Sequence, residues 1–382
     1  MSSYKSPWIT DDLEIFRKSV RQFLQAEFVP HQARWREQHR VDRDAWEKAG
    51  AMGLLLTDVP EAYGGGGGTF AWDAVVSEEL AYADISSFGV SVQSIVAHYL
   101  LDYGSEEQKH RWLPGMAQGR IVGALGMTEP GAGSDVQGIK TTALRSGDEY
   151  VINGSKTFIT NGWHADLVCL AAKTDPTKRG SKGISLLLLE TRDLAGYRVG
   201  RTLDKVGQEG QDTCELFFDD VRVPAGNLLG GVEGRGFAQM MQQLPYERTI
   251  IAVSAVAVME RALEITVKHA RDRQLFGGRL IDLQVPRFML AECQTEAHIG
   301  RVFLDSCIER LMAGTLDTAT ASMAKWWLTD KQFEIADVCL QLHGGYGYML
   351  EYPIARIWAD SRVQRIYAGA NEIMKELVAR SL

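Results

Sequence analysis

Cysteine is scarce and follows no pairing pattern. The five residues, Cys169, Cys214, Cys293, Cys307 and Cys339, are far apart, odd in number and free of any CxxC. That spacing excludes a disulfide framework and a zinc site, so no metal is expected. It points to free thiols in a reducing, cytoplasmic compartment. Positive charge is also in deficit: 41 Lys and Arg against 49 Asp and Glu give a formal net charge of −8. A nucleic-acid binder would carry a basic stripe instead. Long hydrophobic runs are missing. The longest, Ile250 to Met259, contains Ser254 and is too short to span a bilayer. Asp11, Asp12 and Glu14, soon after the start, are foreign to a signal or transit peptide. A soluble chain of 382 residues is left. At roughly 150 residues per domain that is two to three domains, large enough to bury about three quarters of the unfolded surface.

The texture changes twice along the chain. Leu13, Phe16, Val20, Phe23, Leu24 and Phe28 recur at helical steps, with Thr10 placed to cap them and Pro30 to end them. Helical patterns follow over Asp42–Met52, Trp72–Ala83 and Gly89–Tyr103. Between them Gly64 to Gly68 form a glycine run. It lacks the strand–GxxxxGK[ST]–helix context of a phosphate cradle and reads as a flexible turn. From residue 121 short β-branched and apolar runs (Tyr150–Ile152, Leu167–Ala171, Ile184–Leu189, Glu215–Phe218) alternate with turn residues, ending near Pro224–Gly231. Long helical patterns then return over Phe237–Ala270, Ile299–Met312 and Ala319–Leu342, as in a bundle. The expected division is 1–120 helical, 121–232 β and 233–382 helical. Without βαβ alternation, no Rossmann domain is expected.

Six strings carry chemistry: LGMTEPGAGSD (Leu125–Asp135), FITNG (Phe158–Gly162), DTCELFFDDVRVP (Asp212–Pro224), RDRQLFG (Arg271–Gly277), QLHGGYGY (Gln341–Tyr348) and IYAGANEIMK (Ile366–Lys375). In this order and spacing they resemble the flavin-dependent acyl-CoA dehydrogenase family along essentially the whole chain. The last string and LPYER (Leu244–Arg248) look most like its long-chain branch. The resemblance implies an α+β fold with an N-terminal helical domain, a middle β-barrel or sandwich and a C-terminal four-helix bundle. It implies one FAD per subunit and a homotetramer, a dimer of dimers. On the FAD it places Leu125, Met127, Thr128, Gly133 and Ser134, then Phe158, Ile159 and Thr160, then Ala370, Asn371 and Glu372. Arg273, whose forked guanidinium suits a pyrophosphate, would reach it from a neighbouring subunit with Phe276, Gln284, Gln341, Gly344 and Gly345. His343, in the same string, reads as a backbone-positioning or flavin-proximal residue, not as an acid–base group.

The implied reaction removes an α-proton from an acyl thioester while the β-hydrogen leaves as hydride to the flavin. Most of the family carries a glutamate base where this chain has Ala368. The resemblance to the long-chain and isovaleryl branches moves that role to Glu247, in an apolar setting that should raise its pKa. Pro245 suggests a helix kink beside it. Ala368, with Gly369, keeps a backbone N–H for the thioester carbonyl, since any non-proline residue does. Ser134, Tyr246 and Arg248 are the other substrate-side candidates. Lys178, Arg179 and Lys182 either meet the CoA phosphates or form a solvated turn. The expected partners are an acyl-CoA and an electron-transferring flavoprotein. Carrier-protein-bound acyl chains, or flavin monooxygenation on the same fold, are the alternatives.

Overall fold

The structure, a computed structural model, describes residues 4–178 and 180–382, so Arg179 of the basic loop lies outside the described residues. Helices α1 (Asp11–Phe23), α2 (Gln32–Gln38), α3 (Arg43–Ala51), α4 (Phe70–Tyr82), α5 (Val90–Tyr103) and α6 (Glu106–Ala117) come first. The Thr10 hydroxyl caps α1, accepting from the Leu13 N–H at 3.3 Å. Pro30 does not end the helical path. The chain widens into a π turn at Leu24–Phe28, tightens into a 3-10 turn at Val29–His31 that tolerates the missing proline N–H, and runs on into α2.

The glycine run is not a loose turn. The N–H groups of Gly65, Gly66, Gly67 and Gly68 donate to the carbonyls of Pro60, Leu56, Val59 and Thr57 at 3.3, 3.0, 2.9 and 2.9 Å. A Cβ on Gly65 would lie 2.2 Å from the Val59 carbonyl oxygen, and one on Gly68 2.6 Å from the Trp72 ring. Glycine is used there for lack of room.

The middle segment contributes β1 (Gly123–Gly126), β2 (Thr142–Ser146), β3 (Glu149–Thr160), β4 (Leu167–Lys173), β5 (Ile184–Glu190), β6 (Tyr197–Thr202) and β7 (Thr213–Pro224). The sheet runs β1-β4-β2-β3-β7-β6, with β5 antiparallel to β4 and β1 parallel to it. In β4 and β5 successive side chains enter different cores. Leu167, Cys169, Ala171, Leu186 and Leu188 join the core of the helices, whereas Val168, Leu170, Ala172, Leu187 and Leu189 join a second one inside the sheet. Burial on both faces explains why these strands read as continuous apolar runs.

The C-terminal segment holds α7 (Gly236–Asp272), a hairpin of β8 (Gln274–Leu275) and β9 (Gly278–Arg279), α8 (Gln284–Met312), α9 (Thr318–His343), α10 (Pro353–Ser361) and α11 (Asn371–Ala379). Helix α8 starts well before Ile299. Its first turns keep Val285 and Phe288 exposed, so no core-facing period announces them. Pro245 sits inside α7, which is one helix across it. The Thr249 hydroxyl donates back to the Pro245 carbonyl at 2.7 Å. One hydrophobic core joins both helical segments. Across it Arg301 donates to Glu78 at 2.5 Å and to Glu260 at 2.8 and 2.9 Å.

Replacing Gly65 with alanine is expected to destabilise the fold by about 1–3 kcal/mol through overpacking. Gly226→Ala, where the added Cβ meets nothing within 4 Å, should stay within ~0.5 kcal/mol of the parent. Denaturant unfolding of the two variants checks this.

Candidate active site

A cavity of about 300 Å³ opens where the three segments meet. Leu125, Met127 and Thr128 reach it from the end of β1, Phe158 and Thr160 from β3, Glu247 from α7, and Tyr367 and Ala368 from the turn before α11. The remaining wall is largely apolar, with Leu80, Ile85, Ile95, Ile250, Ile251 and Val258 among its residues.

Each element presents its residues for a local reason. The register of β3 against β7 shifts between Lys156 and Ile159, and Phe158 sits in that bulge at φ +60° with 67% of its surface exposed. A bulge re-aims one side chain, and a positive φ at an aromatic residue is a strained setting of the kind found at binding sites. Ile159, next along, turns into the sheet core. The Pro130–Gly131 turn is closed by paired bonds between Glu129 and Ala132 at 3.0 and 3.1 Å. It leaves Gly133 and Ser134 at the surface, and a Cβ on Gly131 or Gly133 would meet nothing within 4 Å. The buried Lys156 ammonium donates to the Met127 carbonyl at 2.9 Å and to Glu129 at 2.8 Å, pinning this loop to β3.

Glu247 is buried, with 5% of its surface exposed. The Tyr99 hydroxyl on α5 donates to its Oε1 at 2.9 Å. Burial pushes the carboxyl up to about 7, against the opposing pull of that bond and of the Arg248 charge. Opposite stands a turn with two consecutive left-handed residues, Ala368 at φ +49° and Gly369 at φ +92°. The buried Lys325 ammonium holds it by donating to the Gly369 carbonyl at 2.8 Å and to Asn371 Oδ1 at 2.9 Å. The Asn371 amide in turn donates to Trp326, Thr329 and Asp330. Asn371 thus anchors the turn from inside, Ala370 is half-buried and Glu372 is exposed.

The remaining candidates lie elsewhere. The Tyr246 hydroxyl donates to Asp73 at 2.9 Å, and Arg248 donates to Ser322 at 2.9 Å. Both are buried and neither lines the cavity. Direct contact with a substrate chain is not what their present geometry offers. Arg273, Phe276, Gln284, Gln341, Gly344 and Gly345 are exposed and also outside the cavity wall. They share one end of the helical bundle. His269 in the last turn of α7 stacks on His343 in the last turn of α9 at 4.2 Å, and the Arg273 hairpin and the Gly344 turn follow directly. His343 is engaged by the Cys339 carbonyl at 2.8 Å. Burial lowers its pKa, which suits a positioning role.

Tyr99, Lys156 and Lys325 were not singled out from the sequence. A lysine inside an alternating strand or a small-residue helix is the one signal that could have found the latter two. The residues present fit a flavin. A flat ring requires an open aromatic face, unobstructed backbone and unsatisfied hydroxyls. Phe158 supplies the first and Gly131 and Gly133 the second. The third is met because Thr128 and Thr160 make no side-chain hydrogen bond among the described residues.

Comparison with known proteins agrees. Sequence models of the acyl-CoA dehydrogenase N-terminal, middle and C-terminal domains match residues 10–120, 124–221 and 234–382. The mitochondrial long-chain specific acyl-CoA dehydrogenase of Mus musculus is 47% identical over 97% of this chain and 86% of its own. A crystal structure of an acyl-CoA dehydrogenase from Geobacillus kaustophilus superposes with a TM-score of 0.96, at 45% identity and 99% coverage of each chain. A glutaryl-CoA dehydrogenase from Mycobacterium smegmatis, solved with FADH2, is 29% identical over 98% of this chain and 95% of its own, with a TM-score of 0.91. From the helical–β–helical fold, the cavity shared by its three parts and these matches, the chain belongs to the FAD-dependent acyl-CoA dehydrogenase family of oxidoreductases.

Proposed function

We propose that the chain converts an acyl-CoA thioester to the trans-2-enoyl-CoA, with Glu247 as the base. The observation that carries this reading is the Glu247 carboxylate, buried and lining the same cavity as Ala368, Phe158 and Thr160, whereas the other two carboxylates of the lining are engaged elsewhere, Asp84 by Arg356 and Asp360 by the Gln208 N–H. Glu247 takes the α-proton. The Ala368 N–H donates to the thioester carbonyl oxygen and makes that proton more acidic. Leu125, Met127, Thr128, Phe158 and Thr160, together with Gly133 and Ser134, would hold the flavin. FAD, when bound, supplies the acceptor for the β-hydride that leaves as the double bond forms. Apolar walls exclude water and keep the carboxylate basic near neutrality. Arg248 and Tyr246 support the helix that carries Glu247, and Gly369 frees the turn at Ala368.

The acyl group we propose is medium, long or branched. On α7 the cavity-lining residues Glu247, Ile250, Ile251, Ser254 and Val258 form one stripe. At 1.5 Å per residue it runs about 16 Å from the carboxylate. That is room for an extended chain, in keeping with the long-chain relative. We also place Arg273, Phe276, Gln284, Gln341, Gly344 and Gly345 in trans, on the FAD of another copy in a homotetramer, because on their own chain they lie outside the cavity. A cytoplasmic enzyme is consistent with five free cysteines, although the long-chain relative is named as mitochondrial. No helix among the described residues is long and apolar enough to cross a membrane. An electron-transferring flavoprotein is the proposed electron acceptor. A chain 34% identical occurs in a structure of that protein from Acidaminococcus fermentans. A carrier-protein substrate is the second reading, favoured by the likeness to the prolyl acyl carrier protein oxidase AnaB at 28% identity and a TM-score of 0.90. Retention of Glu247 speaks against monooxygenation.

Anaerobic addition of acyl-CoAs of graded length and branching should bleach the flavin band of the purified protein with one chain class. Bleaching by acyl carrier protein alone selects the second reading. Glu247→Gln should keep the flavin and lose reduction by about 10²–10⁴-fold. Because the base works unprotonated, kcat/KM should rise with pH through a half-point near 7. A half-point near the ordinary carboxylate range, about 4.3, would contradict the assignment. Arg273→Ala should weaken FAD retention about tenfold, equivalent to ~1.4 kcal/mol, measured by flavin released on dilution.

A further inference from the structure

Helices α5 and α7 meet through two consecutive residue pairs. His98 stacks on Tyr246 with ring centroids 3.9 Å apart, and Tyr99 donates to Glu247 at 2.9 Å. The first pair is tied down from both sides. His98 Nε2 lies 3.2 Å from Asp58, and the Tyr246 hydroxyl donates to Asp73 on α4. This clamp fixes the register of the two helices, so the fully buried Tyr99 ring can place its hydroxyl at only one point.

A glutamate side chain has three rotatable bonds, and at the edge of a cavity it would sample several rotamers. One phenol hydrogen bond to Oε1 removes most of that freedom and leaves Oε2 uncommitted. We propose that Tyr99 is the positioning residue for the Glu247 carboxylate, holding one oxygen so that the other is presented to the α-carbon and favouring the ionised form. This rests on Glu247 being the base. The groups facing that carboxylate are Tyr99 from α5, Cys169 from β4 and Arg248 from α7, whose guanidinium is held by Ser322 of α9. Cys169 is neutral, its thiol pushed by burial up to about 12. Tyr99 is held far above its ordinary value by burial beside Glu247, so it stays a donor across the working range. Arg248 is fixed, which leaves the phenol as the adjustable influence on the base.

The test compares flavin-loaded wild type with Tyr99→Phe, which loses the hydroxyl and keeps the ring. Two quantities are followed from about pH 5 to 9: turnover, and wash-in of deuterium at the α-carbon of a 3-thia-acyl-CoA, which has no β-hydrogen to lose. A hydrogen bond to a charged group is worth enough to move the acid limb of both profiles up by about one pH unit. Exchange should fall about tenfold at the acid end and converge with wild type at the alkaline end. Tyr103→Phe, on the same helix with its hydroxyl on Gln242, should leave the limb in place. Incorporating 3-fluorotyrosine throughout strengthens the phenol donor without removing a ring and should move the limb down. It decides the matter if Tyr99→Phe does not hold flavin. A limb unmoved by either change overturns the role of Tyr99. If Glu247→Gln itself exchanges deuterium as wild type does, the assignment of the base is what fails.

Discussion

A lysine ammonium withdrawn entirely from water sets the geometry of the flavin side. Lys156 is the inward-facing residue of β3 two positions before Phe158, and its side chain is 0% exposed. Its contacts with the Met127 carbonyl and Glu129 bind the loop after β1 to the strand that carries Phe158 and Thr160. Glu129 is saturated in turn, accepting the Lys140 and Thr141 N–H groups at 2.6 and 3.0 Å. Burial lowers the Lys156 pKa to about 8, against the attraction of Glu129. A buried charge this well paired is costly to break from either side, so the loop and the strand move as one body.

The substrate side follows a different rule. There, among the described residues, the carboxylate is hydrogen-bonded by a phenol and by no cation, and burial leaves it basic near neutrality. The opposing turn at Ala368 and Gly369 is strained and is held from behind by a second buried lysine, Lys325. Its pKa is lowered to about 7 by burial, with Arg248 adding to the effect. Two internal lysines therefore brace the two halves of the site without touching its cavity.

Much of this was legible in the sequence, because both the period and the strings are local. The α–β–α order follows from hydrophobic spacing, and the strings name Leu125, Met127, Thr128, Phe158, Thr160, Glu247 and Ala368, which the fold gathers around one cavity. Pro30 and the run Gly64 to Gly68 misled because local propensity was overruled by packing. A 3-10 turn that follows a π turn accommodates the one, and close backbone contact demands the other. Tyr99 was invisible for a different reason. Its partner is 148 residues away in the chain, and nothing local marks a tyrosine as a donor to a remote carboxylate. Tyr246 and Arg248 stand beside the base in sequence, yet helical geometry turns them towards other helices.

The single core shared by the first and last helices has a consequence for synthesis. Glu78 waits 223 residues for Arg301, and Trp8 waits 297 for Asp305. At translation speeds of roughly 5–20 residues per second, the Glu78 interval alone lasts about 10 to 45 s. For that time the ribosome carries amphipathic helices whose apolar faces have no final partner. The strands of the middle segment, which own a core of their own, are finished earlier. The first hundred residues thus wait longest between synthesis and burial.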